Sequence, residues 1–294
     1  MSILFDVTNE FDRLAHVVMG TAEGYHRDSS QVEIVNGTQQ RTVDAAGHPT
    51  EAGLLPEFAA FRAAMEAAGV TVHQPELAPN SVQDQTCPRD IGFVIGEVFV
   101  AAGMRNQSRI EELDGIRHLL ADCVGPALEV PAGVALEGGD VVVDGDHVFV
   151  GFGQRSDPEG LDFLRAKFGE AFEIVPLPPR SLAEGEDVLH LDCAFNPLGL
   201  GHALIYPDGL AEIPAIVRDK FSWIEVTQTE ATALATNVLS VAPDKIIARA
   251  GPDCARVNGE LRKAGYDVTE VAFDGVPSTG GSFRCATMPL RRVR

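Results

Sequence analysis

Apolar residues along this chain come in short bursts, and most bursts are closed by a turn signal. Residues 14–20 (LAHVVMG) are a continuous apolar run ending in glycine, the pattern of a buried strand. Residues 21–50 are polar and rich in Gly, Ser, Thr and Gln, which predicts a long loop over one face, of the kind that serves as a lid or binding loop. Phe58, Phe61, Met65 and Ala68 then fall at helical intervals within 55–69, Ala-Gly supplies the stop, and 70–73 reads as a strand.

That order recurs. Residues 91–102 read as a hairpin-like pair and 109–120 as a helix. Residues 141–151 are a hairpin around Asp144-Gly145, followed by a helix at 158–168 and a strand at 172–177. Residues 198–206 and 238–249 repeat the paired strands, and the last pair leads to a helix at 252–264, Gly265 as its cap and a strand at 266–271.

A polar or reactive residue stands just before each pair or terminal strand: Asp90, Asp140, Asp192, Asn237 and Cys285. Their intervals of 45 to 52 residues lie in the range of repeat architectures. A ββαβ-type unit cannot bury its apolar face alone. Five of them should therefore close around a common axis, with the residues at their entrances converging there.

Composition narrows the function. With 45% apolar and 22% charged residues over 294 positions, the chain has material for one large core or two small ones. A formal charge of −20 argues against nucleic acid or an anionic membrane as partner. The first twenty residues lack the cationic and apolar regions of a signal peptide, and no apolar stretch reaches the length of a membrane span. Five cysteines at irregular spacing form neither a disulfide framework nor a zinc set, so a reduced, cytoplasmic protein without a metal is expected.

The candidate chemistry centres on Gly280-Gly281-Ser282-Phe283-Arg284-Cys285. Alone, it is a cysteine on a Gly-Gly turn before a short strand. Four further blocks join it: Thr86-Cys87-Pro88-Arg89-Asp90, Glu137-Gly138-Gly139-Asp140, Gly151-Phe152-Gly153-Gln154-Arg155-Ser156 and His190-Leu191-Asp192. In this order and spacing they resemble the guanidino-group modifying enzymes, the superfamily of amidinotransferases, arginine deiminases and dimethylargininases. The resemblance runs from about residue 8 to the end. It implies a single catalytic domain over 1–294 with the α/β pentein fold, a propeller of five pseudo-repeated ββαβ units around a central active-site axis. It also implies a small-molecule guanidino substrate and no cofactor, and leaves oligomeric state open, a homo-oligomer included.

The resemblance assigns roles that the chemistry makes sensible. A guanidinium is a poor electrophile, so attack needs a thiolate, a clamp and an acid for the leaving amine. Cys285 matches the nucleophile, His190 the general acid and base, and Glu137 the carboxylate that orients His190. Asp90 and Asp192 match the two carboxylates that grip the guanidinium edges. The His-x-Asp spacing, read as a strand, would put His190 and Asp192 on one face. Asp84 matches a position that contacts the substrate amine. Asp140 is expected to hold its turn, although transferases place a catalytic aspartate there. Arg109 and Arg155 match arginines that bind a substrate carboxylate, which would favour arginine over agmatine.

The motifs sit between subfamilies. The ending Arg-Cys-Ala-Thr-Met-Pro-Leu looks like the deiminases, without their inserted helical bundle. Cys87-Pro88-Arg89-Asp90 and Phe195-Asn196-Pro197-Leu198-Gly199 look more like the amidinotransferases. The expected function is a cysteine amidinohydrolase acting on arginine or a close guanidino acid through a thiouronium intermediate, releasing ammonia and an ureido product. Amidinotransfer to an amine comes second. Dimethylarginine hydrolysis is third, since Asp192 suits an unsubstituted guanidine. A non-catalytic pentein binding protein is the alternative from another class.

Overall fold

The computed structural model describes residues 2–26, 33–78 and 82–294. Strands β1 (Ile3–Leu4) and β2 (Arg13–Met19) lead to helices α1 (Gly37–Asp44) and α2 (Glu51–Ala67) and strand β3 (Thr71–His73). Next come β4 (Gly92–Ile95), β5 (Val98–Ala101), α3 (Arg117–Ala121), β6 (Cys123–Val124) and β7 (Ala127–Glu129). The third stretch holds β8 (Val141–Asp144), β9 (His147–Val150), α4 (Pro158–Phe168) and β10 (Glu173–Pro176). The fourth holds β11 (Phe195–Pro197), β12 (His202–Ile205), α5 (Ala215–Lys220) and β13 (Ser222–Glu225). After α6 (Gln228–Thr232) follow β14 (Leu239–Ala242), β15 (Lys245–Arg249), α7 (Ala255–Lys263), β16 (Asp267–Val271) and the terminal β17 (Thr287–Val293).

These strands make five three-stranded mixed sheets of one design: β4-β5-β7, β8-β9-β10, β11-β12-β13, β14-β15-β16 and β17-β2-β3. In each, the first two strands are antiparallel and the second and third parallel. The parallel step needs a crossover, which a helix supplies in each unit. The last sheet joins the two ends of the described chain. β17 pairs with β2 from Thr287 opposite Met19 to Val293 opposite Arg13, so the Cys285 turn is anchored on a strand from the other end of the sequence.

Helix α2 buries Leu54, Phe58, Phe61 and Met65, as its periodicity requires, against Phe273 and Phe283. Phe283 thus packs two positions before Cys285. No described helix is long and apolar enough to cross a membrane.

Three local expectations are corrected. The stretch 21–50 is not all loop, since α1 forms there with Asn36 as its cap, the Asn36 side chain accepting from the Gln39 N–H; its positions 27–32 lie outside the described residues. The helix expected at 109–120 is a 3₁₀ segment over Gln107–Ile116 that becomes α-helical only in α3. The fourth pair begins at Phe195, and Gly199–Gly201 forms its turn. A 3₁₀ turn eclipses residues three apart, and this sets Arg109 directly over Glu112.

Candidate active site

Tight turns present the reactive residues. Glu137 is extended and precedes a 3₁₀ turn ending at Asp140, and His190 likewise precedes a 3₁₀ turn that carries Asp192. His190 and Asp192 therefore do not share a strand face, contrary to the reading of His-x-Asp. The turn between them, not a strand, directs the two side chains. The Cys285 turn is fixed by Asn237, whose Oδ1 accepts from the Arg284 N–H at 3.0 Å and the Cys285 N–H at 3.2 Å. Two glycines are needed by close approach. A Cβ on Gly281 would fall 2.7 Å from Cys87 Sγ, and one on Gly139 would fall 2.6 Å from the His190 ring.

One small cavity of about 40 Å³ collects much of the predicted site. Asp84, Asp90, Arg109, Arg155, His190 and Cys285 all line it. Glu137 and Asp192 are wholly buried one layer behind. Asp140 is turned away: its oxygens accept from the Leu191 N–H at 2.9 Å and the Ser156 hydroxyl at 2.7 Å, which pins the two 3₁₀ turns together.

His190 Nε2 is held by Glu137 Oε2 at 2.9 Å, which leaves Nδ1 facing Asp90 Oδ1 at 3.6 Å. Burial alone would lower the His190 pKa. The carboxylates of Asp90, Glu137 and Asp140 overcome it and push the imidazole up to about 10. Burial opposes the charge on Glu137 too, but His190 and Arg155 hold its carboxyl down to about 2. Asp192 Oδ1 lies 4.0 Å from Cys285 Sγ, and its Oδ2 lies 3.7 Å from Arg284 Nε. Burial raises the Asp192 pKa against the pull of Arg284 and His190. His190 Nδ1, Asp90 Oδ1 and Asp192 Oδ2 are buried with no hydrogen bond among the described residues.

Both predicted carboxylate-binding arginines are engaged by the protein itself. Arg109 donates from Nη1 to Asp90 at 2.6 Å, from Nη2 to the Cys87 carbonyl, and through Nε and Nη2 to Glu112 at 2.7 and 3.0 Å. Arg155 donates to Asn106, to both Glu137 oxygens at 3.3 Å and to the Val35 carbonyl. Asp84 accepts from the Thr86 N–H and hydroxyl at the cavity edge.

Sequence reasoning missed Glu10, Glu112 and Cys193. Glu10 accepts from Arg89 at 2.9 Å and Arg284 at 3.1 Å, all three buried beneath the site. Burial opposes its charge, but Arg284 and Arg89 hold the carboxyl far below its ordinary range. Its signal was the block Asn9-Glu10-Phe11-Asp12-Arg13-Leu14, which resembles the amidinotransferases but marks no role for the acid. Two triads, Asp90–Glu137–His190 and Asp192–Cys193–Cys285, have donor atoms within 4.8 Å of one another. That spacing suits a metal ion, yet Arg109, Arg155 and Arg284 already supply cations to their carboxylates.

The family whose model matches this chain makes it a guanidino-group modifying enzyme. It belongs to the family described as N,N dimethylarginine dimethylhydrolase, eukaryotic, whose sequence model matches residues 29–292. The uncharacterized protein YkgA of Bacillus subtilis (strain 168) is 32% identical over 278 residues, covering 94% of this chain and 87% of that protein. Inosamine-phosphate amidinotransferase 1 of Streptomyces griseus is 24% identical, covering 99% of this chain and 97% of that one. Its solved structure superposes with a TM-score of 0.80 at 20% identity, covering 100% and 98% of the two chains. The N-terminal domain of ArgZ, an arginine dihydrolase from the ornithine-ammonia cycle in cyanobacteria, gives a TM-score of 0.79 at 21% identity, covering 96% and 98%.

Proposed function

We propose that this enzyme is a cysteine-dependent amidinohydrolase that attacks the guanidinium carbon of arginine or a related guanidino compound. The observation that supports this most is that Asp90 Oδ1 and His190 Nδ1, buried without a hydrogen bond among the described residues, belong to residues lining one cavity with Cys285, and that Asp192 Oδ1 lies 4.0 Å from the Cys285 sulfur. Two of these atoms are carboxylate oxygens that a planar cation's N–H groups satisfy. The third is the face of His190 that Glu137 leaves open.

On this reading Cys285 forms a bond to the guanidinium carbon as thiolate. Protonated His190 gives its proton to the departing nitrogen, which leaves as ammonia, and a thiouronium remains on Cys285. Neutral His190 then takes a proton from water as its oxygen attacks the same carbon. Collapse breaks the carbon–sulfur bond and restores the thiolate, the remaining hydroxyl proton passing to solvent as the ureido product is released. Every step uses the chain's own side chains and water.

The same reading makes the five sheets blades around the axis where their entrance turns meet, and the whole of 1–294 one cytoplasmic catalytic unit. The site cavity, about 40 Å³, is too small for such a substrate as it stands, so binding requires some of its lining to move. Arg109 and Arg155 meet a substrate carboxylate with whatever donors remain after Glu112, Asp90, Asn106 and Glu137 are served.

Amidinotransfer is the second reading, favoured by the Streptomyces relatives. Dimethylarginine hydrolysis is favoured by the family model. One experiment separates all three. The enzyme is incubated with arginine, mono- and dimethylarginine, agmatine and guanidinoacetate, each with and without glycine, lysine or ornithine, and products are identified by mass spectrometry. Ammonia and an ureido product without added amine is the expected result. Product only with an amine means transfer, and dimethylamine means dimethylarginine hydrolysis. Cys285→Ser should stop turnover of any of them; retained turnover would exclude the covalent route.

A further inference from the structure

Asp192 has a thiol on either side. Cys193 Sγ lies 3.6 Å and Cys285 Sγ 4.0 Å from the same Asp192 oxygen, and the two sulfurs are within 4.8 Å of each other. They face different spaces. Cys285 lines the site cavity, while Cys193 lines a second cavity of about 230 Å³ whose wall includes Glu186, Tyr206 and Gln228. The two cavities share Asn36, Leu189 and Gly280 as a partition. The second cavity therefore reaches Cys193 from a side that does not pass through the site cavity.

We propose that Cys193 is a resolving cysteine: when a hydroperoxide oxidises Cys285, Cys193 captures it in a reversible Cys193–Cys285 disulfide. The Cys285 thiolate attacks one oxygen of hydrogen peroxide, the O–O bond breaks, and the other oxygen leaves as water once protonated. Sulfur is oxidised by two electrons to the sulfenic acid, and the peroxide is reduced. The Cys193 sulfur then attacks Cys285 Sγ, the S–O bond breaks, and that oxygen departs as a second water with the Cys193 thiol proton. In sum, two thiols and one peroxide give one disulfide and two waters.

Closing to a bonded S–S distance of about 2.05 Å requires rotation of the two short side chains toward one another. Cys87 is the competing partner: it lines the same cavity as Cys285, and Gly281, having no side chain, leaves the space beside both open. Hydrogen bonding with Cys285, then burial, keeps the Cys193 thiol protonated well above its ordinary range. The bond would silence the nucleophile and shield it from irreversible sulfinic and sulfonic acids.

The loss of activity rests on the proposed role of Cys285; the bond itself does not. The test treats the full chain with hydrogen peroxide and compares wild type, Cys193→Ser and Cys87→Ser by intact mass and non-reducing peptide mapping. Wild type and Cys87→Ser should lose two hydrogens, yield a linked Cys193–Cys285 peptide, and regain most of their own untreated activity with dithiothreitol. Cys193→Ser should carry Cys285 on to the sulfinic and sulfonic acids and regain less than about a tenth. A Cys87–Cys285 link, or no disulfide at Cys285 in oxidised wild type, overturns the proposal. So does equal recovery of Cys193→Ser. Should no substrate be turned over, the wild-type peptide map still decides the disulfide, separately from the fate of the proposed activity.

Discussion

His190 Nε2 and Glu137 Oε2 are 2.9 Å apart, with both side chains closed to solvent. The pair gives a pH signature whose sign follows from linkage. Glu137 falls from 4.5 to about 2 on folding, so its contribution is complete above 4.5 and lost as pH drops through 2. His190 rises from 6.5 to about 10, so its contribution is complete below 6.5 and lost as pH climbs through 10. The pair's stabilisation should therefore peak between 4.5 and 6.5 and decline on both sides. Urea unfolding across pH checks this against Glu137→Gln, which should lose the decline on the acid side. Direct NMR titration of His190 near 6.5 in the wild type would contradict the ion pair.

Asp192→Asn keeps the shape of the side chain while removing its charge beside Cys285. Loss of a charged hydrogen bond to the guanidinium should cost about 2 kcal/mol, roughly thirtyfold in kcat/KM. Steady-state kinetics on the best substrate of the panel provide the readout. An unchanged rate would mean that Asp192 serves only the fold, through Arg284.

Arg155 touches Glu137 as well as the cavity, so Arg155→Ala should act on both kcat and KM. Removing its charge lets the Glu137 pKa rise and loosens the hold on His190. The kcat fall should appear with every substrate, while a rise in KM should be confined to guanidines that bear a carboxylate. We expect about tenfold in each. Equal KM changes for arginine and agmatine would place Arg155 outside carboxylate recognition.

Glu10 sits between two buried guanidiniums. Glu10→Gln leaves Arg89 without its carboxylate and Arg284 with Asp192 alone, and should destabilise the fold by about 3–5 kcal/mol. Because Arg284 adjoins Cys285 and Asp192, activity should fall below the level that unfolding explains. Chemical denaturation measures the first effect and kinetics at low temperature the second. A loss under about 1 kcal/mol would show that water reaches these arginines.

The alternation of short apolar bursts and turns determined much of this protein before folding is considered. It specified five similar units, with Asp90, Asp140, Asp192, Asn237 and Cys285 at their entrances, because strand and helix periods are local properties of the chain. The motif blocks likewise marked Cys285, His190, Glu137 and both clamp carboxylates as candidates. What an individual side chain bonds to was not local. Arg109 and Arg155 match arginines that bind a substrate carboxylate, but only tertiary packing shows that they also bond Glu112, Asp90, Asn106 and Glu137. Asp140 and Asp192 both lie in 3₁₀ turns, but one meets Ser156 and the Leu191 N–H while the other meets thiols and Arg284. Glu10 and Cys193 were not marked as site residues, since their importance comes from partners that for Glu10 lie up to 274 positions away. Patterning chose where each unit turns inward. Only the packing of the five turns against one another fixed which charges are paired there and which atoms are left for a substrate.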